Sequence, residues 1–113
     1  MKRIVLEINI REGRIIFGTG FVPFDGCPIA LTRDLMADTS APYGLRVSDD
    51  GPWRLTHVAT GKRLGSASFK KRADAARFLD RLKPQDPAWN LGRDATTEQR
   101  KACFDLYCEA AKG

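Results

Sequence analysis

The sequence predicts a single α+β domain in which an antiparallel sheet of about five strands packs on two main helices. Apolar residues alternate with polar ones near the N-terminus, and three strand-like segments separated by turn residues follow in the middle of the chain. Two later stretches repeat apolar residues at helical spacing. A length of 113 residues fits one domain, which we take to span residues 1–113.

Residues 3–22 are predicted to form a β-hairpin. Large apolar residues occupy every second position of its first half and so share one face: Ile4, Leu6, Ile8 and Ile10. A turn at Arg11-Glu12-Gly13 separates them from a second strand over 14–22, in which Ile15, Phe17 and Thr19 face one way. Gly18 and Gly20 indicate a bend or bulge near its end.

Residues 23–44 are predicted to be a loop insertion, because prolines and glycines interrupt the segment repeatedly. We expect it to contain a short helix from Thr32 to Ala37, capped by Thr32 and packed through Leu35 and Met36. A loop of this length either carries function or covers one side of the sheet.

Residues 45–69 are predicted to form a three-stranded meander. Leu45 and Val47 alternate with polar neighbours, and Asp49-Asp50-Gly51-Pro52 is a strong turn signal. Trp53 to Ala59 forms the expected middle strand, and Thr60-Gly61 makes a tight turn into a third strand from Lys62 to Phe69.

Two helices are predicted over 70–83 and 96–111. The first carries one apolar stripe, formed by Ala75, Phe78, Leu79 and Leu82, and stops before Pro84. The second begins with a capping box of Thr96 and Gln99. Between them, Trp89 and Leu91 are expected to anchor a loop to the core.

Positive charge is concentrated in the middle of the chain. The net charge is +5, but residues 46–83 hold ten basic and four acidic residues, so this segment carries +6 and the rest of the chain −1. A surplus confined to one supersecondary unit favours an anionic partner, although a solvated basic surface is the plainer explanation.

The predicted meander would place cations and hydroxyls on one sheet face, with the helix on the other. Such a face can enter a DNA major groove as a β-ribbon, while cations at the helix start contact phosphates. The expected nucleic-acid-binding residues are Arg46, Arg54, Thr56, Lys62, Arg63, Lys70, Lys71 and Arg72.

The order of turn and packing residues over 43–82 resembles that of AP2-type and integrase-arm DNA-binding domains. The residues that carry the resemblance are Tyr43-Gly44-Leu45-Arg46-Val47, Gly51-Pro52-Trp53, Gly61-Lys62-Arg63-Leu64-Gly65, Phe69, and Ala73 to Asp80. The resemblance implies three strands packed on one helix and reading of DNA through the sheet. The segment Trp53 to His57 with Thr60-Gly61 also looks similar to small accessory proteins of phages and plasmids. That similarity implies an alternative, an inhibitor or adaptor of the anti-defence type that binds a host protein or nucleoprotein complex.

Nothing in the sequence indicates an enzyme, a cofactor or a metal site. Cys103 and Cys108 lie five apart on a predicted helix and point about 140° away from each other, while Cys27 lies alone in its loop. His57 shares a strand face with Trp53 and Leu55 and is interpreted as a packed or edge histidine in preference to a catalytic base. No phosphate-binding glycine motif is present.

We expect a cytoplasmic protein with reduced cysteines, no signal peptide and no membrane partner. The expected partner is nucleic acid, DNA rather than RNA, or a host nucleoprotein complex. Edge strands beginning at Arg3 and Lys62 would allow a homodimer through strand pairing.

Overall fold

Antiparallel strands in the order β1-β2-β3-β6 form the main sheet of the computed structural model, which describes residues 1–11 and 13–112, and β4 pairs with β5 in a separate ribbon. The strands are β1 (Lys2–Arg11), β2 (Arg14–Val22), β3 (Ile29–Arg33), β4 (Leu35–Ala37), β5 (Leu45–Val47) and β6 (Trp53–His57). The helices are α1 (Arg72–Arg81) and α2 (Thr97–Lys112), and single 3-10 turns lie at Pro42–Gly44 and Pro87–Trp89. The α+β class with an antiparallel sheet and two helices is therefore confirmed.

The N-terminal hairpin forms as its alternation predicts. Leu6 and Ile8 of β1 are buried on one face, whereas Val5, which projects from the opposite face, is 74% exposed. Leu6 lies opposite Gly18 of β2, and Ile8 lies opposite Ile16. A Cβ atom at Gly18 would come within 2.6 Å of the Val47 side chain, so the missing side chain lets β5 pack directly on the hairpin. The turn residue Glu12 lies outside the described residues.

The predicted loop over 23–44 instead contains the central strand of the sheet. β3 lies between β2 and β6, with Leu31 opposite Phe21 on one side and Leu55 on the other. Ile29, Ala30 and Leu31 are fully buried, because both faces of β3 are covered. A strand covered on both faces has a continuous apolar run and no alternation, which is why the sequence pattern does not reveal it.

The short helix expected from Thr32 to Ala37 is wrong. This segment holds the end of β3 and all of β4. The backbone N–H and C=O groups of Thr32 and Arg33 pair across the sheet with β6, and Leu35 of β4 lies opposite Val47 of β5. These tertiary hydrogen bonds outweigh the weak local preference of a six-residue helix.

The three-stranded meander over 45–69 is also wrong. β5 pairs with β4, and β6 pairs with β3, so consecutive strands β5 and β6 are not neighbours. Residues 62–69 follow the free side of β6 only through isolated bridges, Arg63 to Thr56 and Phe69 to Trp53. Gly65, with a φ of 57°, interrupts the extended backbone between those bridges. The main sheet consequently has four strands rather than about five.

Both helices cover the same half of the sheet. The α1 stripe predicted from sequence is buried, and it packs with Ile29, Leu31 and Leu55 in one core cluster. The capping box of α2 is confirmed: Thr96 N–H donates to Gln99 Oε1 at 2.8 Å, and Gln99 N–H donates to Thr96 Oγ1 at 3.2 Å. α2 packs on α1 and on the Pro87–Trp89 turn, where buried Trp89 donates its indole N–H to the Leu82 carbonyl oxygen.

The main sheet is so strongly curved that its first strand meets the turn after its last. Asn9 N–H of β1 donates to the Gly61 carbonyl oxygen at 2.8 Å. The concave side inside this curve holds a second apolar cluster, formed by Leu6, Ile8, Ile16, Val22, Cys27 and Ala30. Among the described residues, no helix has the length and hydropathy that crossing a bilayer requires.

The contact between β1 and Gly61 leaves no room for a side chain. Gly61 has a φ of 69°, and an added Cβ atom would lie 2.7 Å from Glu7 O and 2.9 Å from Asn9 N. Gly26 has a φ of 78°, but nothing lies within 4 Å of its added Cβ atom. Gly26→Ala therefore carries only the left-handed backbone cost, about 1 kcal/mol. We expect Gly61→Ala to lower the free energy of unfolding in urea by at least ~1 kcal/mol more than Gly26→Ala. Equal losses in the two variants would show that sheet closure at Gly61 is not tight.

Candidate functional site

The structure separates the eight residues expected to bind nucleic acid into two groups on opposite sides of the main sheet. Arg54, Thr56, Lys62 and Arg63 lie on the concave side, under the curved hairpin, or at its rim. Arg46, Lys70, Lys71 and Arg72 lie on the outer side, around the start of α1 and the β4–β5 ribbon. The two groups are separate because β5, which carries Arg46, pairs with β4 and not with β6, which carries Arg54 and Thr56.

The concave side contains a cleft of about 530 Å³, which we call the basic cleft. The far end of the hairpin forms one wall, β3 and β6 form the floor, and the segment after β6 forms the other wall. The polar side chains that line it belong to Asn9, Arg11, Thr32, Arg33, Thr56, Lys62 and Arg63. Arg11, Lys62 and Arg63 are exposed at its rim, so solutes have access to their cationic groups.

The floor of the basic cleft holds a buried pair of hydroxyls. Thr32 Oγ1 and Thr56 Oγ1 are 2.8 Å apart, and their residues are 2% and 3% exposed. Two hydroxyls carry two protons, and their mutual hydrogen bond uses only one of them. The remaining O–H is a donor, and the described part of the chain provides it with no side-chain acceptor.

One carboxylate, Asp34, organises the guanidinium groups beside that floor. Asp34 forms an ion pair with Arg63 and lies 3.7 Å from Arg54, whose side chain is only 11% exposed. Arg54 also donates to the Gly65 carbonyl oxygen at 3.1 Å, but its Nε is buried and has no hydrogen-bond partner among residues 1–11 and 13–112. Burial, followed by repulsion from Arg63, lowers the pKa of Arg54, which nevertheless stays charged as arginines do.

The outer side of the sheet carries aromatic rings and cations together. We call the groove lined by Phe17, Phe21, Arg33, Arg46 and Trp53 the outer groove; its volume is about 360 Å³. Phe17 is 72% exposed, which is unusual for so large an apolar side chain in a strand.

Two arginines stack on the aromatic rings of the outer groove. The Arg33 guanidinium lies 4.3 Å from the Trp53 ring centroid, and the Arg72 guanidinium lies 4.8 Å from that of Phe21. Arg33 also donates to the Gly51 carbonyl oxygen at 2.7 Å. Neither arginine has a carboxylate partner in the described chain, so both charges remain available.

Arg46 differs from these arginines because aspartates compensate its charge. Its Nε lies 3.1 Å from Asp38 Oδ2, and its Nη1 lies 3.4 Å from Asp49 Oδ2. Hydrogen bonds from Ser40 and the attraction of Arg46 lower the pKa of Asp38, so this pair is ionised at neutral pH. Arg46 therefore shapes the groove wall more than it contributes free positive charge.

Sequence reasoning missed Phe17 and Arg33 as site residues. Strand alternation places Phe17 on the same face as Ile15 and Thr19, and Ile16 on the other face. An aromatic residue on the outward face of a hairpin is the signal that could have identified Phe17 as a site residue. Arg33 gave no comparable signal, because it lies at the end of a strand that the sequence pattern represents as a loop.

The histidine and two of the three cysteines, Cys27 and Cys103, have hydrogen-bond partners within the chain. His57 Nε2–H donates to the Trp89 carbonyl oxygen at 2.7 Å, so its Nδ1 accepts from Thr60 Oγ1 at 3.0 Å. Cys27 and Cys103 donate to backbone carbonyl oxygens, and burial raises the pKa of both thiols. Within the described residues, no three His, Cys, Asp or Glu side chains cluster as a metal site would require.

Comparison with known proteins found no similarity: no protein-family model, no curated protein and no solved structure matches the chain. Only the geometry of these surfaces therefore indicates what they bind.

The threonine pair makes a testable contribution to stability. Thr32→Val or Thr56→Val alone leaves the other hydroxyl buried without its partner, which costs about 1–3 kcal/mol. The double variant removes both polar groups, so its loss in free energy of unfolding should be smaller than the sum of the single losses by at least ~0.5 kcal/mol. Urea denaturation of the four proteins measures this coupling, and strictly additive losses would mean that the two hydroxyls do not interact.

Proposed function

We propose that the protein is a non-enzymatic nucleic-acid-binding protein and that the outer groove is its binding surface. The observation that carries the proposal is the exposed ring of Phe17, which lies in one groove with two arginines stacked on neighbouring rings. Base stacking on an aromatic ring, combined with cations that follow the phosphates, is the usual means of binding single strands.

The distribution of charge around the groove supports this proposal. Arg72 begins α1 directly after Lys70 and Lys71, and all three are exposed. The backbone of Phe69 pairs with Trp53, which places this basic run beside the groove. Phosphates that follow a base stacked on Phe17 would thus meet several cations, while Asp49, the carboxylate that lines the groove, is paired with Arg46.

The geometry favours unpaired bases over a DNA duplex. A β-ribbon reads the major groove through side chains that project from an open face. Here Thr56 of the corresponding face is buried in the cleft beneath the hairpin, and the side chain of Arg54 is only 11% exposed. Phe17 and the planar guanidinium of Arg33, in contrast, offer surfaces on which a free base can stack. The proposed ligand is therefore single-stranded DNA.

A protein partner is the second candidate, corresponding to an inhibitor or adaptor. Val5 and Phe17 are both more than 70% exposed and lie on the same outward face of the hairpin, which also fits a protein contact. Val5 does not line the outer groove. Three results together would favour this candidate. The protein retains a lysate partner after nuclease treatment, Val5→Ser loses that partner, and the wild-type protein does not bind DNA.

Stacking on Phe17 predicts a large effect of one substitution. Phe17→Ala should weaken binding of a fluorescent oligothymidylate of roughly 15 nucleotides by about 5- to 150-fold, since a stacked base contributes about 1–3 kcal/mol. Fluorescence anisotropy at low salt measures the dissociation constants. Phe104→Ala is the matched control, because Phe104 is 65% exposed but lies on α2. Absent binding, or the same change in both variants, would refute the proposal.

The contribution of Arg72 should appear in the salt dependence. If Arg72 contacts a phosphate, Arg72→Gln should reduce the slope of log affinity against log salt by about 0.7. Lys101→Gln removes the same charge from an exposed position on α2, so it should leave the slope unchanged. Equal slopes for wild type and Arg72→Gln would place the phosphates elsewhere.

A further inference from the structure

We propose that the basic cleft is a second binding site, for a small phosphate-bearing ligand. It lies on the concave side of the main sheet, opposite the outer groove, and does not depend on the function proposed for that groove. Its volume of about 530 Å³ falls in the range of ordinary small-molecule sites. The hairpin wall limits what can enter, so a compact solute fits better than a polymer.

The inner surface of the cleft offers mainly hydrogen-bond donors. The Thr32–Thr56 pair retains one hydroxyl proton, and Lys62 and Arg11 end in ammonium and guanidinium groups. Arg54, directly beside the floor, has a buried Nε–H with no partner in the described residues. A ligand that satisfies such a surface must be rich in acceptors, and a phosphate group has acceptor oxygens pointing in every direction.

The charges give the same preference. Arg33 lines the cleft, but its guanidinium stacks on Trp53. Four further positive charges lie in or beside the cleft, on Arg11, Arg54, Lys62 and Arg63, and Asp34 is the one carboxylate that pairs with any of these four in the described chain. Asp34 fixes the positions of two guanidinium groups before any ligand arrives, which reduces the ordering cost of binding. The remaining excess is three positive charges, enough to compensate a phosphate dianion or a pyrophosphate.

Two of these residues, Arg11 and Lys62, can be substituted to test the site without disturbing the fold. Arg11 and Lys62 are exposed, and in the described part of the molecule neither forms an ion pair. Removing their charges should therefore leave the fold intact. Arg3 and Lys101 are equally exposed, form no ion pair among the described residues and line neither the cleft nor the outer groove, so they provide a control of identical charge.

Isothermal titration calorimetry with inorganic pyrophosphate, and then with inorganic phosphate, tests the site on the full chain. We expect saturable binding of one pyrophosphate per chain, weakened at least about tenfold in Arg11→Ala/Lys62→Ala and unchanged in Arg3→Ala/Lys101→Ala. Amide NMR shifts on titration should concentrate at Thr32, Thr56 and Lys62. Phe17→Ala should bind pyrophosphate normally, so failure of the outer groove and failure of the cleft are distinguishable.

Several results would overturn the proposal. Heats that do not saturate, equal losses in the two double variants, or NMR shifts spread over all exposed lysines would show only diffuse attraction of anions to a basic protein. Saturation by an oligonucleotide carrying a terminal phosphate, but by neither free anion, would assign the cleft to the end of a nucleic-acid strand instead of a small ligand.

Discussion

The pairing of β3 with both β2 and β6 is the interaction on which the rest of the structure depends. Five residues join the N-terminal hairpin to the half of the sheet that carries the helices. Ile29 and Leu31 pack toward the helices, and Ala30 and Thr32 face the concave side. All five residues of β3 pair with β6, and Leu31 and Thr32 also pair with β2. Because it pairs along both edges, β3 can be short and still hold two otherwise separate packing units together.

An element of this fold could be predicted when its sequence pattern is local, and could not when its position depends on distant residues. The hairpin and both helices carry their own evidence in alternation, an apolar stripe and a capping box, which depend on neighbours within a few residues. β3 carries no such evidence, since burial on both faces removes the alternation, and Gly26 and Pro28 before it indicate a loop. Without β3, the sequence predicts that β5 pairs with β6, because consecutive strands usually pair.

The sequence predicted which residue types would form the candidate sites, but not which of those residues would lie together after folding. The sequence shows that residues 46–83 are basic, but it does not show which charges are compensated. Asp34 is remote in sequence from Arg54 and Arg63, yet it lies beside both after folding. Exposure is similarly non-local. Phe17 is open to solvent because the helices pack mainly on β3 and β6 and reach β2 at Phe21, which no pattern within β2 can indicate.

The alternation of β3 also explains how one small sheet can present two chemically different surfaces. Thr32 contributes its hydroxyl to the basic cleft, and the next residue, Arg33, stacks on Trp53 in the outer groove. A one-residue shift in the pairing of β3 would exchange these side chains and destroy both surfaces together. The fully buried run before them specifies the register, because a shift would turn Leu31 away from the helices. Core packing therefore determines the position of Thr32 and Arg33 more firmly than any contact these two residues make themselves.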